Sequence, residues 1–111
     1  MDDLSKKRCE PCREGAPRLS DTDIEIFNKS LPQWEVVTVD GIKRLQRVFT
    51  FDNFVDALAF TIKVAAIAEE EGHHPALLTE WGKVTVSWWT HKIEGLHQND
   101  FIMAAKTDDL L

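Results

Sequence analysis

From Ser20 onward the spacing of apolar residues changes along the chain, and each change marks an element. Ile24, Phe27 and Leu31 follow helical spacing behind Ser20, a good N-cap residue with Asp23 in the first turn, and Pro32 ends that helix. Residues 34–39 are short and β-branched, and Asp40-Gly41 is the strongest hairpin signal in the chain. Residues 42–49 form the return strand, with Lys and Arg scattered as in an edge or half-exposed strand. The longest helix is expected over 52–71, with Phe54, Leu58, Ile62, Ala65 and Ala66 as its buried stripe and Gly72 as its left-handed terminator. Leu77-Leu78-Thr79 reads as a third strand that turns near Glu80-Trp81-Gly82. Residues 83–90 then alternate: Val84, Val86 and Trp88 face one way, and Lys83, Thr85, Ser87, Trp89 and His91 the other. Gly95 precedes a last helix over 97–110.

The order α-β-β-α-β-β-α suits an α+β fold, a four-stranded antiparallel sheet with three helices on one face. At 111 residues the chain fits one domain. Residues 1–19 carry charge, Pro11, Gly15 and Pro17 but no apolar period, so they read as an irregular leader to a domain over 20–111. The fractions of apolar (43%) and charged (29%) residues are ordinary for a globular protein. A net charge of -6 argues against direct nucleic-acid binding. No run is long and apolar enough to span a bilayer, and the N-terminus has no signal-peptide core, so a cytoplasmic protein without membrane contact is expected.

Candidate chemistry gathers in one window. Of four histidines, His73, His74 and His91 lie close to Trp81, Trp88 and Trp89. Imidazole takes and gives protons near neutrality, and indoles offer flat apolar walls. His73 and His74 follow a helix C-terminus, and His91 closes a strand. Loops at the ends of rigid elements commonly carry sites. One of Glu69, Glu70 and Glu71 can orient a histidine; for Glu70 and Glu71 a solvated helix end is the plainer reading. Trp88 and Trp34 read as core, whereas Trp81 and Trp89 divide evenly between packing and a ligand wall. His97 sits at an N-cap, with Asp100 in the first turn for capping. Cys9-Glu10-Pro11-Cys12 lacks the second ligand pair that zinc normally needs, and its surroundings are not a strand and a helix. Two thiols in a loose leader is therefore preferred over metal or redox roles. A metal site on His73, His74, His91 and Asp100 has suitable ligand types, but adjacent histidines in an extended segment point apart.

Glu69-x3-His73-His74-Pro75-x5-Trp81-x9-His91-x8-Asp100 resembles the signature of the pterin-4a-carbinolamine dehydratases, over residues 20 to 110. The leader with its Cys-x-x-Cys is similar to one that many members carry. The resemblance implies the α-β-β-α-β-β-α fold and a hydro-lyase. The substrate would be 4a-hydroxytetrahydropterin and the product quinonoid dihydropterin, which recycles the pterin of aromatic amino-acid hydroxylases without metal or organic cofactor. It implies His73 and His91 as the acid/base pair, in either order, and His74 as pterin anchor. Gly72, Thr90, Lys92, Trp89 and Trp81 would border the pterin, with Glu69 and Asp100 in support, Asp100 behind His91. Lys92 and Trp89 depart from the acidic and small residues common in the family. The resemblance further implies a homodimer or homotetramer. Strands two and four are expected to offer an edge for pairing. The alternative is a non-catalytic binding module, a dimerisation or transcriptional coactivator partner.

Overall fold

Ser20 starts the first helix as expected: its hydroxyl accepts from the Asp23 amide at 3.1 Å, and α1 spans Asp21–Lys29. In this computed structural model, which describes residues 4–9 and 17–111, the elements that follow are β1 (Glu35–Val39), β2 (Ile42–Thr50), α2 (Phe54–Glu71), β3 (Ala76–Glu80), β4 (Lys83–Trp88) and α3 (Gln98–Asp108). The β1–β2 turn uses Asp40 and Gly41, both with positive φ (53° and 78°), as a two-residue hairpin that matches strand twist demands.

The sheet is antiparallel throughout, in the order β1-β2-β4-β3. β2 is therefore a central strand, not an edge, and the edges belong to β1 and β3. Two of its basic residues have carboxylate partners: Lys43 pairs with Asp21 of α1, and Arg47 reaches Asp108 of α3 at 2.7 Å. Val36, Leu45 and Trp88 form one cross-strand row, and Phe49 faces Val84. Leu45, Phe49, Val84, Val86 and Trp88 are buried beneath the helices. α2 lies over β3 and β4, and α3 over β2 and β4. α1 stacks Phe27 on Phe101 of α3, with ring centroids 5.3 Å apart.

The expected face of α2 is overturned. Ala57, Phe60, Val64 and Ala68 are the buried positions, while Phe54, Leu58 and Ile62 are exposed by 44%, 44% and 61%. Ala65 and Ala66 are exposed too. The helix is apolar on more than one side, so periodicity did not select a face. The small Ala57 and Ala68 let the axis approach the sheet, and Phe60 and Val64 fill the gap. Each of those two side chains contributes about 1.5–3 kcal/mol on burial. The helix starts at Phe54 and not at 52, because Asn53 caps it by accepting from the Asp56 amide at 2.7 Å.

Residues 4–9 of the leader also have a defined seat. Leu4 is buried in the core, and Lys106 donates to the Ser5 carbonyl at 2.8 Å. The Cys9 amide donates to Glu71 Oε1 at 2.9 Å, and Arg8 Nε meets Glu71 Oε2 at 2.7 Å. Glu71 is thus no solvated helix end, although Glu70 is exposed. Burial opposes the Glu71 charge, but the Cys9 amide, Arg8 and Lys106 outweigh it and hold the carboxyl below its ordinary range. Burial, then the charges of Glu71 and Asp100, push the Cys9 thiol up to about 12, away from the reactive thiolate form. Cys12 lies outside the described residues. Among those residues no helix is long and apolar enough to cross a membrane.

Candidate active site

The end of α2 aims two histidines in opposite directions. Gly72 takes the left-handed conformation (φ 64°) and its amide, with that of His73, closes the last carbonyls of the helix, His73 N to Ala68 O at 3.1 Å. In the extended segment that follows, successive side chains fall on opposite sides. His73 points inward and is only 8% exposed, whereas His74 is exposed.

His73 Nε2 lies 2.6 Å from Asp100 Oδ1, and its ring stacks on Trp88 at 5.8 Å with planes 7° apart. Asp100 is fully buried and has every donor it needs. Its Oδ2 accepts from Thr90 Oγ1 at 2.8 Å and from the His97 amide at 2.9 Å. The capping role is as expected: His97 Nδ1 in turn accepts from the Asn99 amide at 3.0 Å, completing a reciprocal cap on α3. The expectation that Asp100 stands behind His91 is corrected; it stands behind His73, because the first turn of α3 faces the end of α2. With Nε2 donating to the carboxylate, Nδ1 is the nitrogen left for a ligand. Glu69 Oε1 lies 2.5 Å from His74 Nε2, so the acid that orients a histidine does so at the exposed member of the pair.

His91 comes from the other side. β4 ends at Trp88, and His91 opens a single 3-10 turn, His91–Ile93, that Glu94 closes with φ 49°. The loop is pinned by Thr90 N to Gly95 O at 2.9 Å and by Arg18 Nε to Ile93 O at 2.7 Å. The His91 ring lies against Trp89, with centroids 4.4 Å apart.

Between the two segments is a cavity of about 270 Å³ lined by Gly72, His73, His74, Thr90, His91 and Lys92. All six were expected at the site from sequence. Trp89 backs His91 without lining the cavity. Trp81 is not brought there: it sits 72% exposed at the β3–β4 turn, at the far end of the hairpin, about 20 Å of strand away. Two contributors escaped the sequence reading. Trp88 was assigned to the core, and is buried, yet it also forms the platform under His73. Arg44 places its guanidinium 3.9 Å over the Trp89 ring. Strand register alone could have suggested the second, since Leu45 pairs with Trp88 and Arg44 is next in line.

Chemically, the cavity offers imidazoles on opposing walls, one backed by a buried carboxylate, and a lysine beside them. That is equipment for moving protons on a bound ligand. Among the described residues no group of three or more His, Cys, Asp or Glu is arranged for a metal ion. His73 and His74 engage different carboxylates on different sides, which parts the two nearest candidate ligands.

Comparison with known proteins gives the same direction. A family model described as Pterin 4 alpha carbinolamine dehydratase matches residues 17–110. A protein of Nitrosococcus oceani is 60% identical over all of this chain and 98% of its own length. One of Marinobacter nauticus is 58% identical over 99% of each. Both carry the name pterin-4-alpha-carbinolamine dehydratase provisionally. A crystal structure of a transcriptional coactivator/pterin dehydratase from Brucella melitensis superposes with TM-score 0.76 at 30% identity, over 85% of this chain and 98% of that one. A pterin dehydratase-like protein identified as a RuBisCO assembly factor in the alpha-carboxysome shares the fold at TM-score 0.60 and 24% identity, over 70% of this chain and 88% of that one. The chain belongs to the pterin 4 alpha carbinolamine dehydratase family.

Proposed function

We propose that this protein dehydrates 4a-hydroxytetrahydropterin to quinonoid dihydropterin, with His73 and His91 as its proton-transfer pair. The observation that carries the reading is that His73, His74 and His91, from two separate segments, border one cavity. Loss of water from a carbinolamine requires a proton delivered to the departing 4a-hydroxyl and the N5 proton removed as the C4a=N5 bond forms. Imidazoles on opposite walls serve the two ends of that reaction, and the net proton count is unchanged. Asp100 holds the His73 ring in one tautomer and orientation, the service a buried carboxylate gives a catalytic histidine elsewhere. His74, oriented by Glu69, anchors the pterin from the solvent side, and the backbone of Gly72 and Thr90 to Lys92 borders its edge. The reaction needs no metal or organic cofactor. In this reading the protein recycles the cofactor of aromatic amino-acid hydroxylases in the cytoplasm. The test is the absorbance decay of freshly generated 4a-hydroxytetrahydropterin: the protein accelerates it over buffer in proportion to its concentration, and a decay equal to buffer contradicts the reading.

The exposed side of α2 supports assembly. Val55, Leu58 and Ile62 form an apolar face on a charged molecule, exposed by 74%, 44% and 61%. Covering such a face is favourable by roughly 25 cal/mol per Å² of apolar area removed from water. We assign this face to association of copies of the chain into a homodimer or homotetramer. The β1 and β3 edges are the alternative surface for pairing. The same face favours a second reading, a binding module that uses the helix in place of the cavity. A partner complex that survives substitution of His73 and His91 but not of Ile62 supports that role.

A further inference from the structure

The Trp89 ring that His91 touches also meets a residue of β2, a strand that contributes nothing to the cavity. Arg44 is on the open face of the sheet, on the central strand β2, one position from the Leu45–Trp88 pair. Its neighbour Arg47, on the helix side, has a carboxylate, Asp108 at 2.7 Å. Arg44 has none among the described residues. Its Nε is buried without a hydrogen-bond partner, and its guanidinium carbon sits 3.9 Å over the Trp89 ring. A guanidinium nitrogen withdrawn from water without an acceptor is costly. The indole contact is the interaction that offsets it, and cation–π attraction is strongest for Trp and when partly desolvated. The same indole carries the His91 ring at 4.4 Å.

We propose that Arg44 is a positioning residue for His91, acting through Trp89. The inference rests on His91 belonging to the proton-transfer site. The contact is a cation–π attraction and its effect on His91 is mechanical. Trp89 lies beyond the last residue of β4, outside the strand ladder, so pairing alone does not fix its ring. The guanidinium clamps the indole against the sheet, and the clamped indole limits the orientations open to His91.

The test reads His91 directly in the substrate-free protein, by proton–carbon NMR of the histidine rings. An imidazole held against an indole has its ring protons displaced by the aromatic ring current. In Arg44→Met, which keeps the apolar stem and removes the charge, the His91 displacement is expected to collapse toward the free-imidazole position. Arg44→Lys keeps a cation over the indole, so it should retain part of the displacement that the Met variant loses. It also guards against a folding defect in the Met variant. His91 signals in Arg44→Met at the wild-type position overturn the proposal, as does a Lys variant that loses the displacement as fully as the Met variant. In the dehydratase assay, Arg44→Met is expected to lower kcat several-fold with KM retained. Loss of the His91 displacement without any effect on turnover places the failure in the assigned activity and leaves the positioning contact standing.

Discussion

Replacing Asp100 by Asn separates what this carboxylate does for the fold from what it does for His73. The buried side chain receives three donors, His73 Nε2 at 2.6 Å, Thr90 Oγ1 at 2.8 Å and the His97 amide at 2.9 Å. Asparagine has the same shape but one oxygen, and its amide nitrogen must face one of the two sides. Facing Thr90 and His97, it would oppose a backbone N–H inside the cap of α3. The oxygen should therefore stay there, leaving the NH2 group toward His73. His73 then has to accept at Nε2, which moves its proton to Nδ1, the nitrogen left for the ligand. The cost to stability is the exchange of a charge-assisted bond for a neutral one, about 1–3 kcal/mol. For a domain near 100 residues that lowers Tm by roughly 4–8 °C per kcal/mol. The cost to catalysis is larger. General acid–base transfer is worth about 10²–10⁴-fold, and an Asp→Asn change behind a catalytic histidine acts through the wrong tautomer. The expected outcome is a folded protein, by circular dichroism and thermal melting, with kcat reduced at least ~100-fold. A variant that melts lower but keeps kcat within about three-fold of wild type refutes the tautomer argument.

Further outcomes follow from other contacts. Glu71 has a folded-state carboxyl held below its unfolded value, so its stabilising contribution is present above the unfolded value and is lost as pH falls toward the folded one. Glu71→Gln should accordingly flatten the acid limb of a melting-temperature profile, and an unchanged limb removes Glu71 from that role. The Cys9 thiol, pushed up to about 12, should alkylate at pH 8 about a thousand-fold more slowly in native protein than in denaturant, in a Cys12→Ser background. Equal rates would revive a reactive-thiol role for the leader. Ile62→Lys on the exposed side of α2 should reduce the molar mass measured by light scattering without lowering helix content; an unchanged mass directs assembly to another surface.

What the sequence made legible was whatever local chemistry decides. Ser20 before Asp23, Asp40-Gly41 between strands, and Gly72 after an acidic helix end each impose a conformation on their own few residues. The convergence of His73, His74 and His91 came from their typed spacing in a family signature. It was not visible in periodicity. Failures arose where tertiary partners choose. α2 is apolar on several sides, and only the sheet determines that Phe60 and Val64 go in while Leu58 and Ile62 stay out. Glu71, with Glu70, read as a solvated helix end, but residues 8 and 9 supply it with Arg8 and the Cys9 amide. Asp100 could have faced either histidine; the angle between α2 and α3 gave it to His73. Trp81 shares the signature window with the site but lies at the opposite end of a hairpin.

Whether His73 and His91 are the two proton-transfer groups is read from dehydration of 4a-hydroxytetrahydropterin with wild type, His73→Ala and His91→Ala. Wild type should accelerate the reaction over buffer, and each alanine variant, folded by circular dichroism, should lose about 100-fold or more of kcat. Two variants that both keep wild-type turnover would contradict the account.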